Sequence, residues 1–146
     1  MRKKLIIISA ILLAILAGGW YAYSEYTRKV KSLSRVSADF AVKSDELLTE
    51  FETNEAQSNQ KYLGKIISVT GRLRSVEDNG SGSYFLILGS ENSISSIRCS
   101  MDSTVKDGVK KLIAGSIIKV KGACTGYTSD ELLGSDIILN RCVIEK

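Results

Sequence analysis

Apolar positions follow three patterns along the chain: an uninterrupted run, a helical stripe and strand-like alternation. The uninterrupted run extends from Leu5 to Ser24, contains no charged residue and follows a basic leader at residues 2–4. A helix needs about twenty such residues to cross the hydrocarbon core of a membrane. Aromatic residues between Trp20 and Tyr26 suit the headgroup region. Residues 1–26 are therefore predicted to form a single-pass transmembrane signal-anchor, with the rest of the chain on the non-cytoplasmic side, periplasmic or extracellular.

A cleaved signal peptide is the alternative reading of this segment. Residues 5–16 would be its apolar core, and the small residues at 17–19 would suit a signal protease. The apolar run continues past that point into the aromatic cluster, which favours a retained anchor. No cysteine precedes Cys99, so lipid attachment to a cysteine at this end is excluded.

The helical stripe follows a stalk predicted from residue 27. Ser44 can cap a helix, and the acidic residues at 45 and 46 suit its positive end. Leu47, Leu48 and Phe51 then recur at helical spacing. The pattern predicts a short acidic helix over residues 44–58, lying against one end of the following domain, so that residues 27–60 hold the stalk and this helix.

Strand-like alternation fills the remainder, residues 61–146. A glycine-rich turn at residues 78–82 predicts a hairpin, residues 104–113 favour a short helix, and residues 125–135 are predicted to be a loop. Five strands with a helix between the third and fourth predict a mainly β protein, a five-stranded OB-fold barrel with bends at Gly71 and Gly122. The predicted strands are residues 65–76, 84–88, 93–101, 117–124 and 136–144.

Charge changes the picture less than the total suggests. The chain has 20 basic and 16 acidic residues, but seven of the basic ones precede Asp39, where Glu25 alone opposes them. The rest of the chain is therefore close to neutral. The overall basicity indicates contact with a membrane more than with a polyanion.

Three stretches carry a family resemblance. KYLGKIISVTG occupies residues 61–71, IKVKGACTGY residues 118–127 and DIILNRCVI residues 136–144. Together they resemble the tRNA_anti-like OB-fold family of small exported or membrane-anchored bacterial proteins, over about residues 38–146. The resemblance implies the OB-fold and implies no particular activity, since the family has no settled function.

Catalytic and metal chemistry find little support. The chain has no histidine, so histidine-based dyads and histidine-ligated metals are absent. Asp130, Glu131 and Asp136 do not have the spacing of a calcium loop. No phosphate-binding glycine loop joins a strand to a helix. We expect a protein that is not an enzyme and holds neither metal nor cofactor.

The three cysteines lack zinc-ligand spacing. In the predicted fold, Cys124 and Cys142 fall on neighbouring strands and can form a disulfide in an oxidising compartment. Cys99 can equally pair with Cys142, and the alternative is three small buried side chains. An odd number of cysteines leaves one thiol over in any case.

OB-folds usually bind ligands across their second and third strands, between the loops that join strands 1–2 and 4–5. Tyrosines and one arginine are predicted near that mouth, and four cations on strands 1 and 4 can form a basic patch. The alternative is that the tyrosines pack on the fold and the cations solvate an outer face. The candidate residues are Arg72, Arg74, Tyr84, Arg98, Lys119, Lys121 and Tyr127.

Three functions fit these features. The first is a membrane-anchored binding module for an unidentified ligand or protein partner. The second is single-stranded nucleic-acid binding, with cations along the backbone and aromatic rings under the bases. The third is a structural subunit of an envelope complex, with helix 44–58 as its docking element. Because the chain from residue 39 onward is close to neutral, nucleic-acid binding is less favoured than the membrane-anchored binding module.

Overall fold

The computed structural model describes residues 13, 16–21, 23, 32–80, 82–102, 105–130 and 134–145. The chain forms two compact units, residues 1–31 and 32–146. Most of the predicted anchor from Leu5 to Ser24 lies outside the described residues, although residues 16–21 are helical and exposed. No helix within the described ranges is both long and apolar enough to cross a membrane. The transmembrane segment stays a prediction.

The second unit is mainly β. A short 3-10 turn, Leu33–Arg35, precedes the regular elements. These are β1 Phe40–Lys43, α1 Ser44–Thr53, α2 Glu55–Tyr62, β2 Ile66–Asp78, β3 Tyr84–Leu88, β4 Ser96–Met101, α3 Lys106–Val109, β5 Ile117–Asp130 and β6 Gly134–Glu145.

Hydrogen bonds close five of the strands into a ring. β2 pairs with β3 along its second half and with β5 along its first half. β3 pairs with β4, β4 runs parallel to β6, and β6 pairs with β5. This is the OB connectivity with a helix between the third and fourth strands of the ring. The mainly β class and the order of these five strands are confirmed.

A sixth strand lies where the sequence predicted a stalk. β1 runs parallel to β2, with Phe40 opposite Ile67 and Lys43 opposite Thr70. It covers the edge of β2 that β3 leaves unpaired, because β3 begins to pair only at Leu73. Such an exposed edge would otherwise present unsatisfied backbone groups. Residues 40–43 therefore belong to the sheet.

The predicted single helix over residues 44–58 is instead two helices. The helical conformation is interrupted at Asn54. The Asn54 side chain accepts a hydrogen bond of 3.1 Å from the Gln57 amide and so caps α2. Lys61 and the Tyr62 hydroxyl both donate to Glu50 on α1, at 2.8 and 2.9 Å. The hydrogen bond from Lys61 also lowers the pKa of Glu50. These contacts fasten the helices together.

The predicted loop over residues 125–135 is mostly strand. β5 continues to Asp130, and β6 begins at Gly134. Tyr127 pairs with Ile137 and Thr128 with Asp136, after two irregularities that shift the register of the hairpin. Cross-strand pairing thus extends both strands through a polar segment that lacks alternation.

The core fills the interior of the ring and continues beneath the two helices. Alternating residues of the strands point inward, as the period of a strand requires. Tyr62 stacks against Phe51 at 5.9 Å between ring centroids and meets Phe40 edge-on at 5.2 Å. The core cluster comprises Leu47, Leu48, Phe51, Tyr62, Ile67, Val69, Leu73, Leu86, Leu88, Ile97, Cys99, Met101, Val109, Ile118, Val120, Cys124, Ile137, Leu139 and Cys142.

Gly71 and Gly122 both stand where another segment crosses closely. A Cβ on Gly71 would lie 2.6 Å from the Cβ of Ser44, at the point where β1 passes into α1. A Cβ on Gly122 would collide with the sulfur of Cys142. Both positions therefore need glycine because of crowding.

Gly71→Ala is expected to destabilise the protein by about 1–3 kcal/mol, because the added methyl group overpacks a buried junction. Gly126→Ala in β5 is the matched control, since no described atom lies within 4 Å of its added Cβ. Denaturant unfolding of both variants measures the difference. Equal effects would show that Ser44 can move aside and that the junction is not tightly packed.

Candidate binding face

The outer face of β3 and β4 carries one aromatic ring and one cation side by side. Leu86 and Leu88 point into the core, so Phe85 points outward. The guanidinium of Arg98 lies 5.7 Å from the centroid of the Phe85 ring. Its Nη2 lies 3.5 Å from a carboxylate oxygen of Glu77. We call Phe85, Arg98 and Glu77 the outer platform.

The ion pair between Arg98 and Glu77 in the outer platform is weak. The side chains of Arg98 and Glu77 are 43% and 50% exposed, and ion pairs at such sites contribute about 0–1 kcal/mol. Among the described groups, the buried Nε of Arg98 has no hydrogen-bond partner. A ligand with an acidic or carbonyl oxygen could therefore replace Glu77 at little cost.

Tyr84, predicted at the binding mouth, lies on the other face of the strand. It is half-buried and packs against the core cluster. Phe85 is the residue that sequence reasoning missed. The alternation of β3 could have identified it, because inward Leu86 and Leu88 place Tyr84 inward and Phe85 outward.

Tyr127 is also part of the packing. Its ring stacks on Phe51 of α1 at 4.9 Å between centroids, with 27° between the planes. It therefore holds α1 against β5. The connection between β5 and β6, which was predicted to border the binding mouth, comprises residues 131–133 and lies outside the described residues.

The two predicted arginines of strand β2 differ in their surroundings. Arg74 is half-buried, and its Nη2 donates to the carbonyl oxygens of Ser90, Ser93 and Ser95 at 2.6, 2.8 and 3.2 Å. These bonds fasten the loop between β3 and β4. Arg72 is exposed and pairs across the sheet with Ile117.

Lys119 and Lys121 converge on one carboxylate. Their ammonium groups lie 3.4 and 3.0 Å from the oxygens of Glu145, and the Lys121 side chain is only 7% exposed. The hydroxyl of Ser68 donates to the same carboxylate. That bond, followed by the two ammonium groups, lowers the pKa of Glu145 from 4.5 to about 2 against the opposing effect of partial burial. The structure thus divides the predicted basic patch. Lys119 and Lys121 share the one carboxylate of Glu145, Arg72 is exposed, and Arg74 holds the loop between β3 and β4.

All three cysteines are buried free thiols. Cys142 hydrogen-bonds with Cys99, and this contact and burial raise its pKa well above the usual value. Burial also raises the pKa of Cys124. Raised pKa values disfavour thiolate chemistry. A disulfide stays a prediction, and the contact favours the Cys99–Cys142 pairing over Cys124–Cys142. Across the described positions, no cluster of His, Cys, Asp and Glu side chains could hold a metal ion.

The ring of strands, with a helix between its third and fourth members, defines an OB-fold protein. The sequence matches the tRNA_anti-like family over residues 1–142. The chain belongs to that family, as the three sequence stretches suggested. A search of curated proteins found no match.

One solved structure shows the same fold. A lipoprotein of Klebsiella pneumoniae subsp. pneumoniae, to which nucleic-acid binding has been provisionally ascribed, is 20% identical with a TM-score of 0.55. The alignment covers 72% of this chain and 91% of the lipoprotein.

Two aminoacyl-tRNA synthetases match more weakly. The Pyrococcus horikoshii asparaginyl enzyme is 14% identical over 57% of this chain and 20% of the enzyme, with a TM-score of 0.41. The Entamoeba histolytica aspartyl enzyme is 12% identical over 80% of this chain and 23% of the enzyme, with a TM-score of 0.47. This chain therefore spans less than a quarter of either synthetase.

Proposed function

We propose that the protein is a membrane-tethered, non-enzymatic binding module whose ligand contacts the outer face of β3 and β4. The observation that supports it is the outer platform, an aromatic ring beside a weakly paired arginine on the strands that OB-folds use for binding. The apolar run from Leu5 to Ser24 would supply the tether.

The chemistry of the described groups supports a binding role over catalysis. General acid–base work needs a titratable pair placed to exchange protons with a substrate. Glu145 is held as a carboxylate between two ammonium groups, and the buried thiols are held in their neutral form. Glu145 is thus engaged by two lysines, and the thiols are buried, so none of these groups is placed as a free acid or base.

Single-stranded nucleic acid is the specific ligand that the outer platform favours. A base can stack on Phe85 while the guanidinium of Arg98 meets the adjacent phosphate. The envelope-subunit alternative loses its predicted docking element, because Leu47, Leu48 and Phe51 of α1 are buried in the core. An unidentified protein partner would have to use another surface.

Labelled single-stranded DNA titrated against the full-length protein in detergent, at low and physiological salt, tests the nucleic-acid candidate. Phe85→Ala and Arg98→Gln are each expected to weaken binding about tenfold, the effect of losing one stacked base or its cation. Lys119→Gln is the matched control, since it removes the same charge from a lysine already paired with Glu145. Its dissociation constant should stay close to that of the unchanged protein.

Equal weakening by Lys119→Gln and Arg98→Gln would indicate diffuse attraction to a polyanion and contradict a specific face. Absence of binding at low salt would remove nucleic acid as the ligand. The wider proposal would then depend on a ligand whose binding is lost in Phe85→Ala.

A further inference from the structure

Two isoleucines on one turn are the most exposed large aliphatic side chains among the described residues of the second unit. Ile113 is 75% exposed and Ile117 is 72% exposed. The amide and hydroxyl of Ser116 both donate to the carbonyl of Ile113, at 3.2 and 2.6 Å. Gly115 supplies the positive φ of 87° that the turn requires. We call residues 113–117 the isoleucine turn.

Backbone hydrogen bonds fix the isoleucine turn on β2. The Gly115 amide donates to the carbonyl of Leu73 at 2.7 Å, and the Leu73 amide donates to the carbonyl of Ser116 at 2.8 Å. Leu73 is completely buried. The two isoleucines are therefore held in water by a rigid support, and their exposure does not come from a loose chain end.

Cations surround the isoleucine turn. Lys110 and Lys111 precede it and are exposed, and Arg72 stands across the sheet from Ile117. Beside Ile117 lies an open cavity of about 350 Å³. Its lining consists of Lys43, Ser44, Asp45, Thr70, Gly71, Arg72, Ser90 and Ile117.

The charge of this surface is positive on balance. Lys43 lies 3.9 Å from Glu46, which offsets it, and Asp45 adds one negative group to the cavity. Arg72, Lys110 and Lys111 have no ion pair with a described residue. Exposed aliphatic side chains beside unpaired cations are typical of a surface that meets anionic lipid, because the chains enter the headgroup boundary while the cations stay with the phosphates.

We propose that the isoleucine turn docks on an anionic phospholipid surface, with Arg72, Lys110 and Lys111 over the headgroups. The proposal rests on the membrane tether of the proposed function. The predicted anchor, residues 1–26, would hold the second unit at a membrane.

A protein partner fits this surface less well than lipid. Stable protein interfaces bury about 800 Å² on each side around an apolar centre. Two isoleucines within a cationic rim offer a much smaller apolar centre, whereas a few inserted side chains and cations suffice for a domain that is already tethered.

A nitroxide placed at Ile113→Cys in the full-length protein tests the docking. The protein is incorporated into nanodiscs of phosphatidylcholine, with and without a fraction of phosphatidylglycerol. The native cysteines are completely buried, so the label reacts at the introduced thiol. With phosphatidylglycerol, the label is expected to collide more with oxygen, which concentrates in lipid, and less with a water-soluble nickel chelate. Ile94→Cys, at an exposed isoleucine beside Gly134 at the start of β6, is the matched control and should stay in water.

The charge requirement is tested by Lys110→Gln combined with Lys111→Gln in the labelled protein. This variant is expected to lower the ratio of docked to undocked protein roughly tenfold or more. A chain that elutes apart from the discs would overturn both the tether and the docking. A chain that elutes with the discs while its label stays in water would overturn the docking alone. Label burial that depends on protein concentration, or equally strong burial without phosphatidylglycerol, would assign the surface to a second copy or to neutral lipid and overturn the proposal.

Discussion

Phe51→Ala is expected to destabilise the protein by about 3–5 kcal/mol, the largest effect of any single change considered. The Phe51 side chain is 1% exposed and stacks on two rings, Tyr62 of α2 and Tyr127 of β5. Its removal leaves a cavity where α1, α2 and β5 meet. Denaturant unfolding followed by circular dichroism measures the loss.

Thr49→Ala is the matched control for this change. Thr49 is exposed on the same helix, and its hydroxyl bonds only to the carbonyl of Asp45. Its effect should stay within about 0.5 kcal/mol. If Phe51→Ala cost no more than Thr49→Ala, α1 would be a separate appendage, as a stalk and docking helix would be, and the core described for it would be wrong.

The strands of the ring were predictable because their inward residues form the core. β3 was predicted with its observed bounds, since five apolar residues lie between turn-forming segments. β5 extends six residues beyond its prediction because hairpin pairing with β6 needs no apolar alternation. β1 was missed for a similar reason. Four residues carry too short a pattern, and their place is set by the free edge of β2.

The second helix was hidden by its composition. α2 buries only Ser58 and Tyr62, so no apolar stripe marks it. Its signal was the cap, an asparagine at position 54 followed by a glutamate and polar helix-forming residues. Hydrophobic periodicity reveals a helix only when the helix buries a row of apolar side chains. α2 is held mainly by the hydrogen bond to Glu50 and the stacked ring of Tyr62, so it has no such row.

The candidate site was predicted only in part, because charge in a sequence does not reveal its partner. Arg98 lies on the predicted strands beside Phe85. Arg74 instead bonds to backbone carbonyls of a loop, whose direction no pattern of side chains encodes. Lys119 and Lys121 meet an acidic residue at the far end of the sequence, brought to them by the pairing of β5 with β6.

Glu145 is the partner of both lysines, and Glu145→Gln is expected to cost about 2–4 kcal/mol near neutral pH. The substitution keeps the shape but removes the negative charge, which leaves the buried ammonium of Lys121 uncompensated. Glu77→Gln is the matched control. Its carboxylate pairs with Arg98 at a half-exposed site, so its loss should cost at most about 1 kcal/mol.

The pH dependence separates loss of charge from loss of packing. The pKa of Glu145 is lowered from 4.5 to about 2 in the folded protein, so its stabilisation is complete above 4.5 and is lost as the pH falls towards 2. The free energies of unfolding of the unchanged protein and Glu145→Gln should therefore converge between those values. A gap that stays constant through this range would mean that the glutamine disturbs packing and that the carboxylate does not hold the two lysines by charge. Convergence would show instead that Lys119 and Lys121 are engaged by Glu145 within the fold. Arg98 of the outer platform, and Arg72, Lys110 and Lys111 beside the isoleucine turn, are then the cations proposed to meet ligand and membrane.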